Sequence, residues 1–160
     1  MAKTTIKKEE EKPMGRVFQR ILVATDGSEK NRSAVAEGVR IARSSGASLF
    51  AVYVIDNSLT GSLPGGVEPV SIGMVKTFGV LDKEALESLR HVSQTAGEFP
   101  VTTRVLEGRP AEAIVQFALE NQIDLIVIGT LGKTGFERLL LGSVADKVIR
   151  TAACDVLIVK

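Results

Sequence analysis

Short apolar runs alternate with amphipathic stretches along this chain from residue 20 onward. Most of the runs are continuous and rich in Val, Ile and Leu, which is typical of strands that are buried on both faces of a parallel sheet. The run at 101–106 instead alternates apolar and polar residues, as an edge strand does. We predict five strands, at residues 21–24, 49–55, 101–106, 125–128 and 156–159.

Helical periodicity fills the intervals between these strands. We predict helices at about 34–42, 80–95, 111–121 and 143–151. Ser28 has the residue type of an N-cap for the first helix, and Gly46 fits the left-handed position that ends it. Pro110 fits the first position of the third helix. Residues 57 to about 77 are rich in glycine and proline and predict a long loop.

This strict alternation of strands and helices predicts the fold class. Because crossovers between parallel strands are right-handed, we expect an α/β domain with an open, doubly wound, five-stranded parallel sheet and helices on both faces. Such sheets bind ligands beyond the carboxyl ends of the strands, where the strand order reverses. The turn at 25–27 and the segment at 129–132 are therefore the candidate ligand sites.

The segment after the fourth strand contains four glycines: Gly129, Gly132, Gly135 and Gly142. Glycines let the backbone approach a phosphate closely, and the free N–H groups of the helix that starts near Ser143 favour an anion. Ser143 and Asp146 also match a helix capping box. A Walker loop fails because position 127 is valine. A dinucleotide fingerprint fails because it needs two glycines separated by one residue, whereas two residues separate each of Gly129, Gly132 and Gly135 from the next. An ordinary strand-to-helix loop is the alternative to a phosphate site.

Composition narrows the range of partners. Twenty Lys and Arg against nineteen Asp and Glu give a formal net charge of +1, which provides no field to hold a nucleic-acid backbone or an anionic membrane. Aromatic residues make up only 4%, so little is available to stack on bases. The single cysteine, Cys154, rules out an intramolecular disulfide. No apolar run reaches membrane-spanning length, and we expect a cytoplasmic protein without nucleic-acid or membrane partners.

Two further features are assigned no chemistry. Residues 1–18 mix lysine with a run of three glutamates and predict a disordered, charged tail ahead of a single domain at 19–160. His91 lies on a charged helix, where we expect it to be exposed and distant from the ligand site. Asp26 is then the only carboxylate expected near the site, so a general base for fast chemistry is missing.

Three separated segments of the chain resemble the ATP-binding universal stress proteins. Gly129, Gly132 and Gly142-Ser143 have the spacing of that family's phosphate and ribose motif. The end of the first strand, through Asp26, resembles the family's opening, and the end of the second strand around Val54 is similar as well. The resemblance covers residues 20–160 and implies an adenine-nucleotide alpha-hydrolase-like fold, a bound adenine nucleotide and a homodimer.

By position, the resemblance also implies which residues contact the nucleotide. The backbone of Ala24 and Thr25 and the side chain of Asp26 would line the nucleoside pocket. Val54 would bond adenine through its backbone, with Ile128 as an apolar wall. Ribose and phosphates would contact the glycine segment and the start of the last helix, at Gly129, Thr130, Gly132, Lys133, Thr134, Gly142, Ser143 and Val144. Mg²⁺ would be held through the phosphates.

Two points in this assignment stay open. Leu131 stands where the family often carries a polar or basic residue, which puts one ribose or phosphate contact in question. The residue type of Asp26 also fits a cap for the first helix or its loop.

We therefore expect a stress-response regulatory protein that binds ATP, or AMP or ADP, and senses or stores it with little or no rapid turnover. Weak ATP hydrolysis through Asp26 and Mg²⁺ is one alternative. A dimeric interaction module that binds no nucleotide is another, and an enzyme whose substrate enters under the 57–77 loop is a third. The last strand should lie at a sheet edge and pair with its copy in a homodimer, through Val156, Leu157, Ile158 and Val159.

Overall fold

The computed structural model describes residues 18–56, 72–130 and 141–160, with side chains described from residue 83 in the second range. Five strands lie in these ranges: β1 (Arg20–Ala24), β2 (Ser48–Asp56), β3 (Val101–Gly108), β4 (Leu125–Gly129) and β5 (Asp155–Val159). They form one parallel sheet in the order β3-β2-β1-β4-β5. The predicted five-stranded parallel sheet is confirmed, and the alternating strand β3 does lie at an edge.

Four α-helices connect the strands: α1 (Arg32–Ser45), α2 (Ile72–Ala96), α3 (Pro110–Glu120) and α4 (Ser143–Thr151). α1 and α2 cover one face of the sheet, and α3 and α4 cover the other. The chain moves outward from β1 through β2 to β3, and α3 then returns it to β4 on the opposite side of β1. The strand order therefore reverses at β1, as expected for a doubly wound sheet.

β1 is buried on both of its faces. Ile21 and Val23 pack into the core beneath α1 and α2, and Leu22 and Ala24 pack into the core beneath α3 and α4. Each of the four is at most 5% exposed. Because successive side chains of a strand point to opposite faces, only a continuous apolar run satisfies both cores.

The prediction of a loop over 57–77 is wrong at its end, because α2 begins at Ile72. Gly73 and Gly79 lie within this helix, and glycine lowers helix propensity by about 1 kcal/mol relative to alanine. The local sequence preference therefore predicts a loop at the place where a helix of 25 residues begins in the structure. The rest of the predicted loop, 57–71, lies outside the described residues.

Two of the predicted helix ends are confirmed as they stand. Gly46 follows α1 with a left-handed φ of 68°, and Pro110 is the first residue of α3. Ser28 is the N-cap residue of a short 3₁₀ helix, Glu29–Asn31, that runs directly into α1, although its side chain makes no capping hydrogen bond. The cap position of α1 belongs to Asn31.

Gly38 allows α1 to lie directly against β1. It is buried in the middle of the helix, and a Cβ at this position would overlap with Cγ2 of Val23. Glycine in a helix interior normally destabilises the helix relative to alanine. Close contact between the helix and the central strand therefore explains the glycine.

We predict that Gly38→Ala lowers the free energy of unfolding by about 1–3 kcal/mol, because the added methyl group overpacks this contact. At an ordinary helix position the same change would instead stabilise by about 1 kcal/mol. Urea unfolding followed by circular dichroism measures the difference. In a Val23→Ala background, Gly38→Ala should be much less destabilising. An equal loss in both backgrounds would contradict the packing explanation.

Candidate functional site

The carboxyl ends of β1, β2 and β4 lie side by side at the point where the strand order reverses. Ala24 is in register with Val52 of β2 on one side and with Ile128 of β4 on the other. Val54 follows two residues after Val52 on β2. The chain then leaves β1 toward one face of the sheet and β4 toward the other, which opens a crevice between the two turns. Three sequence-predicted site residues are thus brought to one edge.

The β1–α1 turn, residues 25–28, is held by its own hydrogen bonds. The N–H of Thr25 donates to the carbonyl of Val52 at 2.9 Å, which extends the pairing one residue beyond β1. Oγ1 of Thr25 accepts from the N–H of Gly27 at 3.2 Å. Gly27 has a φ of 75°, and a Cβ there would overlap with Oγ of Ser88 on α2. Both the backbone conformation and the contact with α2 therefore require glycine.

Asp26 is half-buried and supports this turn with one carboxylate oxygen. Its Oδ1 accepts from the N–H of Ser28 at 3.0 Å and from the Ser28 hydroxyl at 2.7 Å. The alternative role of Asp26 as a cap for the loop is therefore confirmed for this oxygen. The Ser28 hydroxyl is turned toward Asp26 as a donor, which explains why it does not cap the helix that follows.

Backbone hydrogen bonds join the end of β4 to the start of α4. The N–H of Thr130 donates to the carbonyl of Val159 at 3.0 Å, and the N–H of Gly142 donates to the carbonyl of Thr130 at 2.6 Å. Gly142 is the N-cap residue of α4, with an extended backbone. The two ends of the glycine segment are therefore in contact, and the amino end of α4 lies beside the end of β4.

Within the described part of the chain, no side chain caps the amino end of α4. The predicted capping box is wrong, because Ser143 is the first helical residue and the Asp146 carboxylate pairs with Arg150 at 3.0 Å. The first N–H groups of a helix have no acceptor inside the helix, so this end carries partial positive charge. The arrangement can stabilise an anion in front of Gly142.

Packing and one ion pair hold α4 in place. Ala145 and Val148 are buried in the core beneath α3 and α4. Nζ of Lys147 donates to Oε1 of Glu112 on α3 at 2.6 Å, and this hydrogen bond lowers the pKa of the Glu112 carboxyl. Both side chains of the pair are about half exposed, so burial of the apolar face is the main contribution to the position of α4.

Three of the predicted contacts share one apolar surface. Val54, Ile128 and Val144 all belong to the core cluster beneath α3 and α4. Ile128 is 6% exposed, and Val54 and Val144 are half-buried. Apolar side chains beside peptide groups at a strand end form the kind of surface against which a flat ring packs.

Part of the predicted site lies outside the described residues: Gly132, Lys133 and Thr134. Leu131, the departure from the family pattern, lies outside them as well. The remaining predicted residues lie at the carboxyl edge of the sheet or in the first turn of α4. The structure therefore brings together the strand ends and the helix start that the sequence separated by about a hundred positions.

A family model described as the universal stress protein family matches residues 18–160. The chain belongs to the universal stress protein family. It is 43% identical over 148 residues to universal stress protein MJ0531 of Methanocaldococcus jannaschii, covering 90% of this chain and 83% of that protein. The family membership expected from the three motif segments is confirmed.

Solved structures agree with this assignment. Universal stress protein UspA from Lactobacillus plantarum superposes with a TM-score of 0.74 at 28% identity, covering 91% of this chain and all of the other. A universal stress protein in complex with cAMP superposes with a TM-score of 0.61, also at 28% identity, covering 90% of this chain and 98% of that one. The predicted fold class is confirmed by these likenesses.

Sequence reasoning missed Asn31 of this universal stress protein. Asn31 is 4% exposed, and its Nδ2 donates to the carbonyl of Ala24 at 3.3 Å. Among the described residues, nothing donates a hydrogen bond to its Oδ1. An unpaired buried acceptor destabilises by about 1–3 kcal/mol. The sequence does not indicate that Asn31 is buried, because an asparagine near the start of a helix is ordinarily exposed.

The expectation that His91 is exposed is wrong. His91 is half-buried and lines a cleft between the β1–α1 turn and α2, together with Thr25 and Ser28. α2 passes over the turn, and Gly27 lets the two come into contact at Ser88. A histidine that seemed remote along the chain thus lies beside the end of β1.

Two features of the described residues bear on membranes and metals. None of the helices there combines the length and the apolar character needed to cross a bilayer. Nor do His, Cys, Asp and Glu side chains gather there in threes or more around a point where a metal ion could bind.

Proposed function

We propose that this universal stress protein binds ATP, or ADP or AMP, at the edge where β1, β2 and β4 end. The observation that carries the proposal is the hydrogen bond between Gly142 and Thr130, which holds the amino end of α4 beside the end of β4. A phosphate in front of that helix start would meet open N–H groups and the positive end of the helix dipole. Gly129 and Gly142 would let the backbone approach it closely.

The nucleoside would occupy the strand ends next to this phosphate site. Peptide groups of Ala24, Thr25 and Val54 would bond the base and ribose, and Ile128 would form the apolar wall. Asp26 would line the same pocket. The solved universal stress protein in complex with cAMP supports the ligand class, because cAMP is an adenine nucleotide.

The outer phosphates would be held by the remaining residues of the glycine motif: Gly132, Lys133, Thr134, Ser143 and Val144. Mg²⁺ would bind through phosphate oxygens and water, which suits a cation that rarely needs a cage of protein ligands. We propose that the protein senses or stores nucleotide in the cytoplasm as a stress-response regulator.

We predict that ATP with Mg²⁺ binds in isothermal titration calorimetry and that Ser143→Ala weakens binding by about tenfold, since a hydrogen bond to a charged group contributes about 1.5–3 kcal/mol. Ser143 is exposed in the first turn of α4, so the change should leave the fold intact. Gly132→Val should weaken binding further by adding bulk where backbone meets phosphate.

The matched control is Ser44→Ala, an exposed serine at the other end of the molecule in the last turn of α1. It should bind ATP like the wild-type protein. Unchanged affinity in both folded site variants would exclude this location for the phosphates. Failure of the wild-type protein to bind ATP, ADP and AMP would favour the alternative of a dimeric interaction module.

We predict that ATP turnover is far below the range of about 1 to 1,000 per second that is typical of enzymes. Asp26 Oδ1 already accepts two hydrogen bonds from Ser28, and efficient phosphoryl transfer needs a positioned base and more cationic groups. Phosphate release from purified protein measures the rate. Turnover at enzymatic rates that Asp26→Ala abolishes would show that the protein is an ATPase.

The proposal of a homodimer rests on the open edge of β5. In the described sheet β5 pairs only with β4, so its other edge is open. Leu157 and Val159 pack partly under α1, and Val156 and Ile158 pack partly under α3 and α4, which leaves all four half-buried. An open, apolar edge strand promotes aggregation unless it is covered. Two copies of β5 related by a two-fold axis would cover each other as antiparallel neighbours.

The register of β5 determines which residue tests this pairing. The N–H of Asp155 donates to Asp124 at 3.3 Å, and the carbonyl of Val159 accepts from Thr130, so these residues direct their backbone groups toward β4. Backbone groups alternate along a strand, so those of Ile158 point to the open edge. A proline at Leu157 would break the ladder to β4, whereas a proline at Ile158 removes a donor only from the open edge.

We predict a dimer mass in light scattering at micromolar concentration, and a shift to monomer in Ile158→Pro with the circular dichroism spectrum retained. Ile158→Val is the matched control, because it keeps the N–H group and the β-branched shape. It should remain a dimer. A monomer mass for the wild-type protein would remove the proposed interface.

A further inference from the structure

α4 lies between the proposed phosphate site and the open edge of β5. Its amino end carries the N–H groups that would meet the phosphates, and its carboxyl end leads through residues 152–154 into β5. Ala145 and Val148 of α4 are buried in the core beneath α3 and α4, and Val156 and Ile158 of β5 pack partly into the same core. Because protein cores are close-packed, a displacement of either element disturbs the packing of the other.

Two backbone hydrogen bonds also connect β5 to the start of α4 through Thr130. The carbonyl of Val159 on β5 accepts from the N–H of Thr130 at 3.0 Å. The carbonyl of Thr130 in turn accepts from the N–H of Gly142, the N-cap residue of α4, at 2.6 Å. Since Thr130 is one of the predicted ribose and phosphate contacts, the strand at the open edge helps to position a residue of the proposed nucleotide site.

Ile149 places an apolar side chain on the side of α4 that faces the open edge. It is 45% exposed. Lys147 pairs with Glu112 of α3, so the side of α4 that carries Lys147 faces α3. Ile149 lies about 200° further around the helix, on the opposite side. Because α3 packs over β2 and β3 whereas α4 packs over β5, the side away from α3 faces the open edge of the sheet.

Two-fold pairing of β5 would bring two copies of α4 together. Antiparallel pairing within one sheet requires a two-fold axis perpendicular to the sheet, so both copies of α4 would lie on the same face of the joined sheet. Ile149 would then face the partner subunit across the axis. The apolar surface that two copies can bury therefore continues from β5 onto α4.

The phosphate site and the partner contact thus lie near opposite ends of one helix of nine residues. We propose that nucleotide binding and dimerisation are coupled through α4, so that the dimer binds ATP more tightly than the monomer does. The coupling presupposes the proposed nucleotide site and the proposed β5 interface.

The pairing of β5 on one side only explains the lower affinity of the monomer. An edge strand with exposed backbone hydrogen bonds is among the elements of a protein that open locally. Each opening releases Thr130 and, with it, the N-cap residue of α4, so the phosphate site is assembled for only part of the time. The affinity for nucleotide falls by that fraction. A second copy holds β5 and Ile149 in place and removes the loss.

Thermodynamic linkage relates two measurements of this coupling. Coupling between sites is reciprocal and typically changes an affinity about 5- to 150-fold. We expect each ATP to bind the dimer about fivefold more tightly than it binds the monomer. Because a dimer has two nucleotide sites, saturating ATP with Mg²⁺ should then strengthen dimerisation by about 25-fold, the square of the first factor. Analytical ultracentrifugation of the wild-type protein with and without ATP measures this second factor.

Ile149→Lys separates dimerisation from the nucleotide site. Ile149 is six residues after Ser143, about 9 Å along the helix, so the change adds no contact to the phosphates. A cation in the last turn of a helix is compatible with the helix dipole. Like charges at the two-fold axis should shift the protein to monomer. We expect the monomer to bind ATP about fivefold more weakly in calorimetry.

Leu119→Lys is the matched control for this variant. Leu119 is 64% exposed in the last turn of α3, so the same charge is added away from the open edge. It should leave both the dimer and the ATP affinity unchanged. At protein concentrations that restore the dimer, Ile149→Lys should regain the wild-type affinity, which a direct effect on the site would not allow.

Three results would overturn the coupling while nucleotide binding and dimerisation themselves stand. ATP could leave the wild-type dimer dissociation constant unchanged, Ile149→Lys could remain as strong a dimer as Leu119→Lys, or monomeric Ile149→Lys could bind ATP as tightly as the wild-type dimer. If Ile149→Lys does not fold, the wild-type measurement decides alone. A wild-type protein that is a monomer, or that binds no ATP, would contradict the proposed function and the coupling with it.

Discussion

The central strand β1 has to be hydrogen-bonded on both edges and packed on both faces, and the rest of the structure depends on this constraint. β2 and β4 supply the edges, and two separate cores supply the faces. Because one core lies under α1 and α2 and the other under α3 and α4, the chain must leave β1 and β4 in opposite directions. The crevice at the carboxyl edge follows from that divergence rather than from any single residue.

The sequence predicts the inner strands β1 and β4 well because their burial is nearly complete. Where both faces are covered, as in β1 and β4, each position has to be apolar, and the pattern can hardly be mistaken. The start of α2 could not be predicted in this way. Gly73 lies in its first turn, and its local preference for a turn is outweighed by a helix that continues to Ala96. Nothing local in the sequence reports that continuation.

In the candidate site, too, one part could be predicted from the sequence and another part could not. Glycine spacing identified the segment between β4 and α4, because a backbone that approaches an anion restricts residue type over several positions. The carboxylate of Asp26 is consistent with two roles, and only the hydrogen bonds from Ser28 show that one oxygen serves the turn. Asn31 and His91 could not be predicted, because they line a cleft whose two walls, the β1–α1 turn and α2, are distant in sequence and come together only in the fold.

The peptide unit between Ala24 and Thr25 is bonded at both of its ends. Its carbonyl accepts from Nδ2 of Asn31, and its N–H donates to the carbonyl of Val52. A rotation of this unit would break both bonds at once, so the backbone at the mouth of the crevice has a single orientation before any ligand arrives. A ligand there loses little affinity to ordering of this wall, since the entropy of that ordering has already been lost in folding.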